Sequence, residues 1–439
     1  MTSTRRILAK KLENTIKNFA AAYIGGPRQC GKSTLVRHLL PMKNINYMTF
    51  DTTAIRLAAE KDPDGFVEKL PKDKLNVIDE VQRVPSVFLQ LKKSVDEGRF
   101  EGRGKSMFIL TGSANIFALP RLAKAMVGRM ARLTLYPFSA AEILGSDGNF
   151  GVNREVNFVE KLWNDDLSIK TYKRANLAKI IQKATFPEIA LNDGIDKSEW
   201  LDSYLGDILD RDAVQFAKIR KPDLIYQLLV SFSSRVGSLM NNDNIMKETG
   251  FNQGTFEKYK AFCDAAFITF EVQPWSKPNN LNKRFVKAKK IYFTDTNFLS
   301  FIMRRDISDV YEKDPSVMGH LFENFIATEI MKAISTLPGK YYLSHFNPVR
   351  EDGKETDFVI EKDNGDTIAV EVKLDSTLND KDFKNLELCR STIGKKFKKG
   401  VVLYSGDTIV PFGDRLWAVP VNYLWEIEPF PKLRTYGSD

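Results

Sequence analysis

An apolar stretch, a glycine-containing loop and a second apolar stretch follow one another near the start of this chain, within residues 19–40. The loop, GPRQCGKS at positions 26–33, has the spacing G-x-x-x-x-G-K-S of a phosphate-binding loop. FAAAYIGG before it suits a buried strand, and the leucines after it recur at helical spacing. The order strand, loop, helix predicts an α/β fold built on a parallel sheet, with backbone N–H groups turned towards bound phosphate.

The loop predicts a site for ATP and Mg²⁺. Lys32 is expected to reach the β- and γ-phosphates, and the Ser33 hydroxyl is expected to coordinate the magnesium ion. Cys30 lies inside the loop, where nearby positive charge would make its thiol reactive. The expected nucleotide-binding residues are Gly26, Pro27, Arg28, Gln29, Cys30, Gly31, Lys32, Ser33 and Thr34.

Two further apolar stretches end in polar residues that suit ATP hydrolysis. LNVIDEVQ predicts a strand that ends at Asp79 and Glu80, the first to hold magnesium and the second to polarise the attacking water. MFILTGSANI predicts another strand, followed by Ser113, which is expected to sense the γ-phosphate; Asn115 is the second choice. The adjacent glutamate favours a hydrolase over a small-molecule kinase.

These motifs, GGPRQCGKST, NVIDEVQ, ILTGSAN and AMVGRMARLTLYPFSAAEIL, resemble the prokaryotic AAA-type ATPases that carry a C-terminal nuclease-like region. With gaps, the resemblance extends over most of the chain. It implies an ATPase core with an additional strand and a catalytic glutamate. It also implies an arginine that completes the site from the lid or from a neighbouring subunit of a homo-oligomer, with Arg129 and Arg132 as candidates.

The middle of the chain predicts helices and then a winged helix. The acids Asp207, Asp210 and Asp212, in a helical segment, are interpreted as solvated or helix-end charges. Residues 245–267 predict helix, turn and helix, and two strands follow. The stretch 277–290 has six basic residues and no acid, which suits a wing that contacts the phosphates of nucleic acid, although a module for protein contacts remains an alternative.

The last third of the chain has the residue pattern of restriction-endonuclease-like enzymes. A helix over 318–334 contains Glu323, and two strands joined by a hairpin turn contain Asp357 and then Glu371 and Lys373. The three carboxylates are expected to bind a second divalent ion, Mg²⁺ or Mn²⁺, that activates water. Lys373 is expected to orient that water or to stabilise charge on the phosphate.

Composition sets the remaining expectations. The chain of 439 residues is long enough for several domains, and we expect an ATPase core at 1–150, a helical and winged-helix region at 151–300, and an α/β nuclease-like domain at 301–439. The net charge of +9 permits a nucleic-acid partner, DNA in preference to RNA. Three widely spaced cysteines suit a reducing cytoplasm, and no apolar run is long enough for a membrane span.

Two functions are compatible with these features. In the first, ATP binding and hydrolysis control a metal-dependent nuclease-like domain that acts on nucleic acid. In the second, the protein is a nucleotide-dependent switch or scaffold, and its nuclease-like domain is inactive and serves for binding. The two differ in whether Glu323, Asp357, Glu371 and Lys373 converge on a metal.

Overall fold

The structure is a computed structural model. It describes residues 6–39, 44–113, 126, 128–144, 157–164, 167–174, 176–216, 219–277, 287–348 and 355–425. Asn115, the second choice for a γ-phosphate sensor, and the middle of the basic stretch 277–290 lie outside these ranges. No helix among the described residues is both long enough and apolar enough to cross a membrane.

The N-terminal part is a parallel five-stranded sheet with helices around it. The strands have the order β2-β3-β4-β1-β5, so β4 lies between β1, which leads into the glycine loop, and β3, which ends at Asp79. This is the additional strand implied by the resemblance. Because the carboxyl ends of parallel strands meet at one edge, the sheet brings the glycine loop, Asp79 and Ser113 together. The elements are α1 (Leu8–Asn18), β1 (Ala21–Gly25), α2 (Lys32–Thr34) with a π-helical turn (Leu35–Leu39), β2 (Ile45–Thr49), α3 (Thr53–Lys61), α4 (Pro63–Glu68), β3 (Leu75–Asp79), α5 (Val87–Phe100), β4 (Phe108–Gly112) and β5 (Met130–Thr134).

A helical region follows. Its helices are short and amphipathic, and several begin with a side-chain cap, as where the Asn252 side chain accepts a hydrogen bond from the Thr255 N–H. The predicted pair of helices is present, with Phe256, Tyr259 and Phe262 buried on one face. The elements are α6 (Ala140–Leu144), α7 (Phe158–Asn164), β6 (Lys170–Thr171), α8 (Leu177–Lys183), α9 (Pro187–Leu191), α10 (Lys197–Asp207) with a π-helical segment (Ile208–Phe216), α11 (Asp223–Ser233), α12 (Asn242–Thr249) and α13 (Gln253–Ala265).

The C-terminal part is built on a mixed nine-stranded sheet of order β6-β13-β14-β12-β11-β10-β9-β7-β8. The predicted hairpin is present, because β10 and β11 pair antiparallel with Phe358 opposite Val370. β11 then pairs parallel with β12. The elements are β7 (Thr269–Pro274), β8 (Lys290–Phe293), α14 (Thr296–Ile302), α15 (Ile307–Lys313), α16 (Pro315–Thr336), β9 (Tyr341–Phe346), β10 (Thr356–Lys362), β11 (Thr367–Lys373), α17 (Lys384–Ile393), β12 (Phe397–Tyr404), β13 (Thr408–Pro411) and β14 (Leu416–Pro420).

The helical region and the C-terminal sheet share one hydrophobic core. A single cluster of buried side chains extends from Ala140 to Trp425, whereas the two faces of the N-terminal sheet pack into separate clusters. The strands β7 and β8, which the winged-helix prediction placed in the middle region, lie in the same sheet as β9 to β14. The three-domain division stays a prediction, and β8 brings Lys290 to the C-terminal acids.

Candidate active site and distal acid cluster

The glycine loop follows β1 and curls around the side chain of Lys32. Gly26 has φ +154°, and a Cβ there would lie 2.0 Å from the carbonyl oxygen of Leu135, so the position requires glycine. The Lys32 ammonium is buried and donates to the carbonyl oxygens of Gly26 at 2.9 Å and Pro27 at 2.6 Å. The loop therefore holds a desolvated positive charge at its centre, where phosphate oxygens could replace these carbonyls.

The other side of the loop is fixed to the body of the protein. The Cys30 side chain is fully buried, and its Sγ–H donates to the carbonyl oxygen of Leu135 at 3.2 Å. The buried Arg6 guanidinium donates to the carbonyl oxygen of Cys30 at 2.7 Å and to that of Tyr136 at 2.5 Å. The Lys32 ammonium also donates to Cys30 Sγ at 3.8 Å, so the expected positive charge lies beside the thiol, and the reactivity of Cys30 stays a prediction.

Asp79, at the end of β3, is surrounded by hydroxyl groups. It accepts hydrogen bonds from Ser33 Oγ at 2.7 Å, from the Tyr47 hydroxyl at 2.5 Å and from the Thr111 hydroxyl. A hydroxyl and a carboxylate side by side are oxygen ligands of the kind that Mg²⁺ prefers, so Ser33 and Asp79 fit the expected ion. When bound, that ion would offset the negative charge of the phosphates.

Glu80 is held in an unusual backbone conformation immediately after β3. Its φ of 57° and ψ of 40° are left-handed, which is uncommon for a residue with a side chain and is a feature of functional sites. Burial raises the pKa of the Glu80 carboxyl, and the positive charges of Lys32 and Arg28 partly oppose that rise. A raised pKa makes this carboxylate a better proton acceptor than an ordinary glutamate.

Ser113 contacts Glu80 directly. Its Oγ–H donates to Glu80 Oε2 at 3.3 Å, and the amide of Gln82 donates both to Ser113 Oγ at 3.0 Å and to Glu80. The predicted sensor and the predicted water-polarising residue therefore belong to one hydrogen-bonded group. Gln82 was not among the predicted residues, although the quoted sequence DEVQ contains it.

Arg28 connects the loop to the helical region. Its Nε and Nη2 donate to the two carboxylate oxygens of Asp212, each at 2.6 Å. Burial alone would lower the pKa of Arg28, but the hydrogen bonds and negative charge of Asp212 raise it above its ordinary value. The interpretation of Asp212 as a solvated charge is wrong, because its side chain is only 8% exposed. Asp210 is exposed, and Asp207 forms an ion pair with Arg211 at 3.6 Å.

The two arginines proposed to complete the site lie elsewhere. Arg129 donates from Nε and Nη2 to Asp96, on α5, at 2.6 and 2.9 Å. Arg132, on β5, is exposed. A role for either arginine in completing an ATPase site stays a prediction.

A second polar cluster lies at the predicted nuclease-like residues, about the side chain of Lys290. The Lys290 ammonium is almost completely buried and contacts Glu323 Oε1 at 3.2 Å, Asp357 Oδ1 at 3.4 Å and Glu355 Oε1. The Tyr292 hydroxyl donates to the same Glu323 oxygen at 2.7 Å. Burial raises the pKa of Glu323 to about 7, and the charge of Lys290 opposes that rise.

The remaining predicted residues lie beside this cluster. Asp357 Oδ2 accepts the backbone N–H of Val372 at 2.8 Å, which holds the start of β10 against β11. Glu371 is buried and forms an ion pair with Lys373 at 3.0 Å. Among the described residues, its second oxygen has no hydrogen-bond partner, and burial raises the pKa of this carboxyl well above its ordinary value. The fold therefore brings close together the four predicted residues Glu323, Asp357, Glu371 and Lys373.

The cluster nevertheless does not fit the predicted metal. Within the part of the chain that the structure describes, no group of three or more His, Cys, Asp or Glu side chains is arranged so that it could hold a metal ion. Lys290, whose ammonium lies between the acids, comes from the basic stretch 277–290, which was predicted to contact phosphate. Lys289 and Lys287 also bond internally, to Glu271 at 2.7 Å and to the carbonyl oxygen of Asn347 at 3.1 Å.

Several partners at both sites were not predicted from the sequence. Some, such as Arg6, Tyr47 and Lys290, come from parts of the chain remote from the motifs, whereas Gln82 and Thr111 lie inside the motifs, where no pattern marked them. The undetected residues are Arg6, Tyr47, Gln82, Thr111, Asp212, Lys290, Tyr292 and Glu355.

Three parts of the chain match known families. Residues 18–144 match an AAA domain, residues 174–309 match the domain of unknown function DUF8612, and residues 318–424 match the domain of unknown function DUF4143. Uncharacterized proteins of Mycobacterium tuberculosis and Mycobacterium bovis are each 23% identical over 428 residues, 97% of this chain and 85% of theirs.

Solved structures with some likeness include a Walker-type ATPase of Pyrococcus abyssi, with a TM-score of 0.41 and 12% identity over 69% of this chain and 98% of that one. A Thermotoga maritima RuvB variant has a TM-score of 0.29 and 14% identity over 60% of this chain and 88% of its own. TM-scores this low carry no argument about function. The AAA-domain match, with the strand order and the loop geometry, supports an AAA-type P-loop ATPase in the N-terminal part of this chain.

Proposed function

We propose that this protein binds and hydrolyses ATP and works as a nucleotide-dependent switch, in which the state of the glycine loop is transmitted to the helical region and the C-terminal sheet. The observation that carries the proposal is the double hydrogen bond between Arg28 and Asp212. A guanidinium in the phosphate-binding loop is a natural partner for phosphate oxygens. Phosphate and Asp212 would therefore compete for Arg28, so nucleotide would change the link.

The geometry of the ATPase site supports the following proposed roles. Lys32 and the loop N–H groups bind the phosphates, Ser33 and Asp79 hold Mg²⁺, and Glu80 accepts the proton of the attacking water. Ser113 and Gln82 position the Glu80 carboxylate. The left-handed conformation of Glu80 turns its side chain away from the direction that β3 would otherwise give it.

A second buried connection supports the switch. Arg6, which holds the loop through Cys30, also donates to Glu142 Oε1 at 3.1 Å. The segment just before Glu142 is held by α16, because the Ala140 N–H donates to Glu329 at 3.0 Å and Lys332 donates to the carbonyl oxygen of Phe138 at 2.9 Å. Glu323 lies on the same helix, so movement of the loop has a continuous route to the distal cluster.

Nuclease activity under nucleotide control is the second candidate. The convergence of Asp357, Glu371 and Lys373 on adjacent strands favours it, but the acids would have to bind a divalent ion, which their present arrangement does not fit. It requires that the ion displace an ammonium from the acids. DNA is the partner we propose in either case, together with a homo-oligomer in which Arg129 or Arg132 reaches a neighbouring site.

Hydrogen–deuterium exchange tests the switch. In wild type, a non-hydrolysable ATP analogue with Mg²⁺ is expected to change exchange in residues 197–216, because the phosphates draw Arg28 away from Asp212. In Asp212→Asn the same analogue should bind and leave that segment unchanged. Asp210→Asn, an exposed change in the same segment, is the matched control and should respond as wild type does. Equal responses in the Asp212 and Asp210 variants would contradict the proposed link.

A further inference from the structure

We propose that the ammonium of Lys290 takes the place of the divalent ion in the distal acid cluster, so that this cluster is closed to Mg²⁺ and Mn²⁺ in the folded protein. The inference concerns residues outside the ATPase site, and its failure would leave the ATP-dependent switch untouched.

The contacts of Lys290 account for its three N–H donors. They point to one oxygen each of Glu323, Glu355 and Asp357. An ammonium has three donors and no acceptor, so this arrangement satisfies it completely. A lysine that is almost entirely removed from water is stable only where acids surround it in this way.

Two of these carboxylates have further hydrogen bonds. Asp357 has Lys290 on one oxygen and the Val372 N–H on the other, and Glu323 Oε1 also accepts the Tyr292 hydroxyl. Glu371 is paired with Lys373. An ion shared by Asp357 and Glu371 would meet the positive charge of Lys290 at close range, and it would have to break these hydrogen bonds.

Packing holds both Glu323 and Lys290 in place. Gly237 lies against the Glu323 carboxylate, where a Cβ would come within 2.6 Å of an oxygen. Lys290 itself belongs to β8, whose backbone pairs with β7 from Thr269 to Val272. The cation is therefore part of the sheet and is not a mobile surface side chain.

The Glu371 oxygen that has no hydrogen-bond partner among the described residues is the feature most compatible with a metal. An ion there would be shared with Asp357, so the experiment follows Mn²⁺ binding that depends on Asp357. Mn²⁺ binding is measured by electron paramagnetic resonance on nucleotide-free protein in an Asp79→Asn background, which removes the carboxylate ligand of the ATPase site. The parent protein is expected to show no Mn²⁺ site that depends on Asp357. A site in the parent that disappears on adding Asp357→Asn would overturn the inference.

The second part of the experiment removes the ammonium of Lys290. Lys290→Ala in the same background should gain a Mn²⁺ site, with an affinity more than about tenfold above any binding by the parent, since one neighbouring positive charge is lost, and Asp357→Asn should abolish this gain. Lys289→Ala, at the adjacent lysine paired with Glu271, is the control and should gain nothing. A folded Lys290→Ala protein with no gain would refute the inference.

Loss of Lys290 leaves buried carboxylates without their cation, so folding is followed separately. Lys290→Gln, which fills a similar volume, should unfold at a lower temperature than the parent, and Mn²⁺ should raise that temperature in the variant alone. An equal rise in variant and parent would also overturn the inference, because it would show that Lys290 does not exclude the ion.

Discussion

The guanidinium of Arg28 and the carboxylate of Asp212 face each other in the plane of a double hydrogen bond, across 184 positions of sequence. One residue is in the glycine loop, and the other is in the π-helical segment after α10. This pair joins the parallel sheet to the helical region at the point where nucleotide is expected to bind. It gives chemistry in the loop a direct route to the helical region.

Removing one partner of the Arg28–Asp212 pair should destabilise the fold. Asp212→Ala leaves a partly buried guanidinium without its partner, and the free energy of unfolding is expected to fall by about 2 kcal/mol. Urea denaturation followed by tryptophan fluorescence measures the loss. Asp210→Ala, exposed on the same segment, should change stability by less than about 0.5 kcal/mol. Similar stability of the two variants would show that the Arg28 contact contributes little.

Substitutions at Lys32 and Glu80 should separate binding from hydrolysis. Lys32→Ala removes a charged phosphate contact and is expected to weaken ATP binding by roughly 10- to 100-fold. Glu80→Gln keeps the shape of the side chain and removes the proton acceptor, so hydrolysis should fall by about 10²-fold or more while ATP still binds. Calorimetric binding and phosphate release measure the two effects. Unchanged hydrolysis in Glu80→Gln would reject the proposed role of Glu80.

The raised pKa of Glu80 predicts how the rate of ATP hydrolysis falls at low pH. The carboxylate is the active form, so the rate should fall as pH falls through the pKa of Glu80. Because burial raises that pKa, the fall should begin at a higher pH than for an ordinary glutamate. Single-turnover hydrolysis at saturating ATP between pH 5 and pH 8 tests this, with ATP binding measured at each pH as the control. A flat profile would exclude Glu80 as the base.

The native protein should resist thiol reagents. Cys30, Cys263 and Cys389 are all fully buried, and burial raises the pKa of the Cys263 and Cys389 thiols. A thiol-reactive dye is therefore expected to label the folded protein slowly, with or without ATP, and to label all three cysteines in denaturant. Rapid labelling of Cys30 that nucleotide blocks would show that the loop opens further than this structure indicates.

His345 should make the protein less stable in acid. The ring is buried, its Nε2–H donates to the carbonyl oxygen of Ala288, and burial, with the charges of Lys290 and Lys287, lowers its pKa to about 3. The unfolded chain takes up the proton near pH 6.5 and the folded protein does not, so stability is lost as pH falls from about 6.5 towards 3. At pH 5 the loss is about 2 kcal/mol relative to neutral pH.

His345→Gln should remove this part of the acid dependence, and the free energy of unfolding, measured in urea at pH 7.5 and pH 5, should differ less between the two conditions than in wild type. His320→Gln, at an exposed histidine, should keep the dependence of wild type. The same pH dependence in both variants would assign the acid sensitivity to other groups.

Local sequence determined the N-terminal site to a large extent. The sequence has a glycine loop between a strand and a helix, and strands that end at Asp79-Glu80 and Ser113. Their positions in the fold could be predicted, because parallel strands place their carboxyl ends at one edge of the sheet. The helix with Glu323 and the hairpin with Asp357, Glu371 and Lys373 were predicted for a similar reason. In each case neighbouring residues fix the geometry.

Partnerships between distant charges were decided by tertiary structure alone. Asp212 resembles any helical surface acid until the fold buries it against Arg28. Lys290 belongs, by sequence, to a basic stretch suited to phosphate, and the sheet instead places it among three carboxylates. The physical reason is that a charge removed from water is stable only beside an opposite charge. Which residue supplies that charge depends on strand order and packing, which no local sequence pattern encodes.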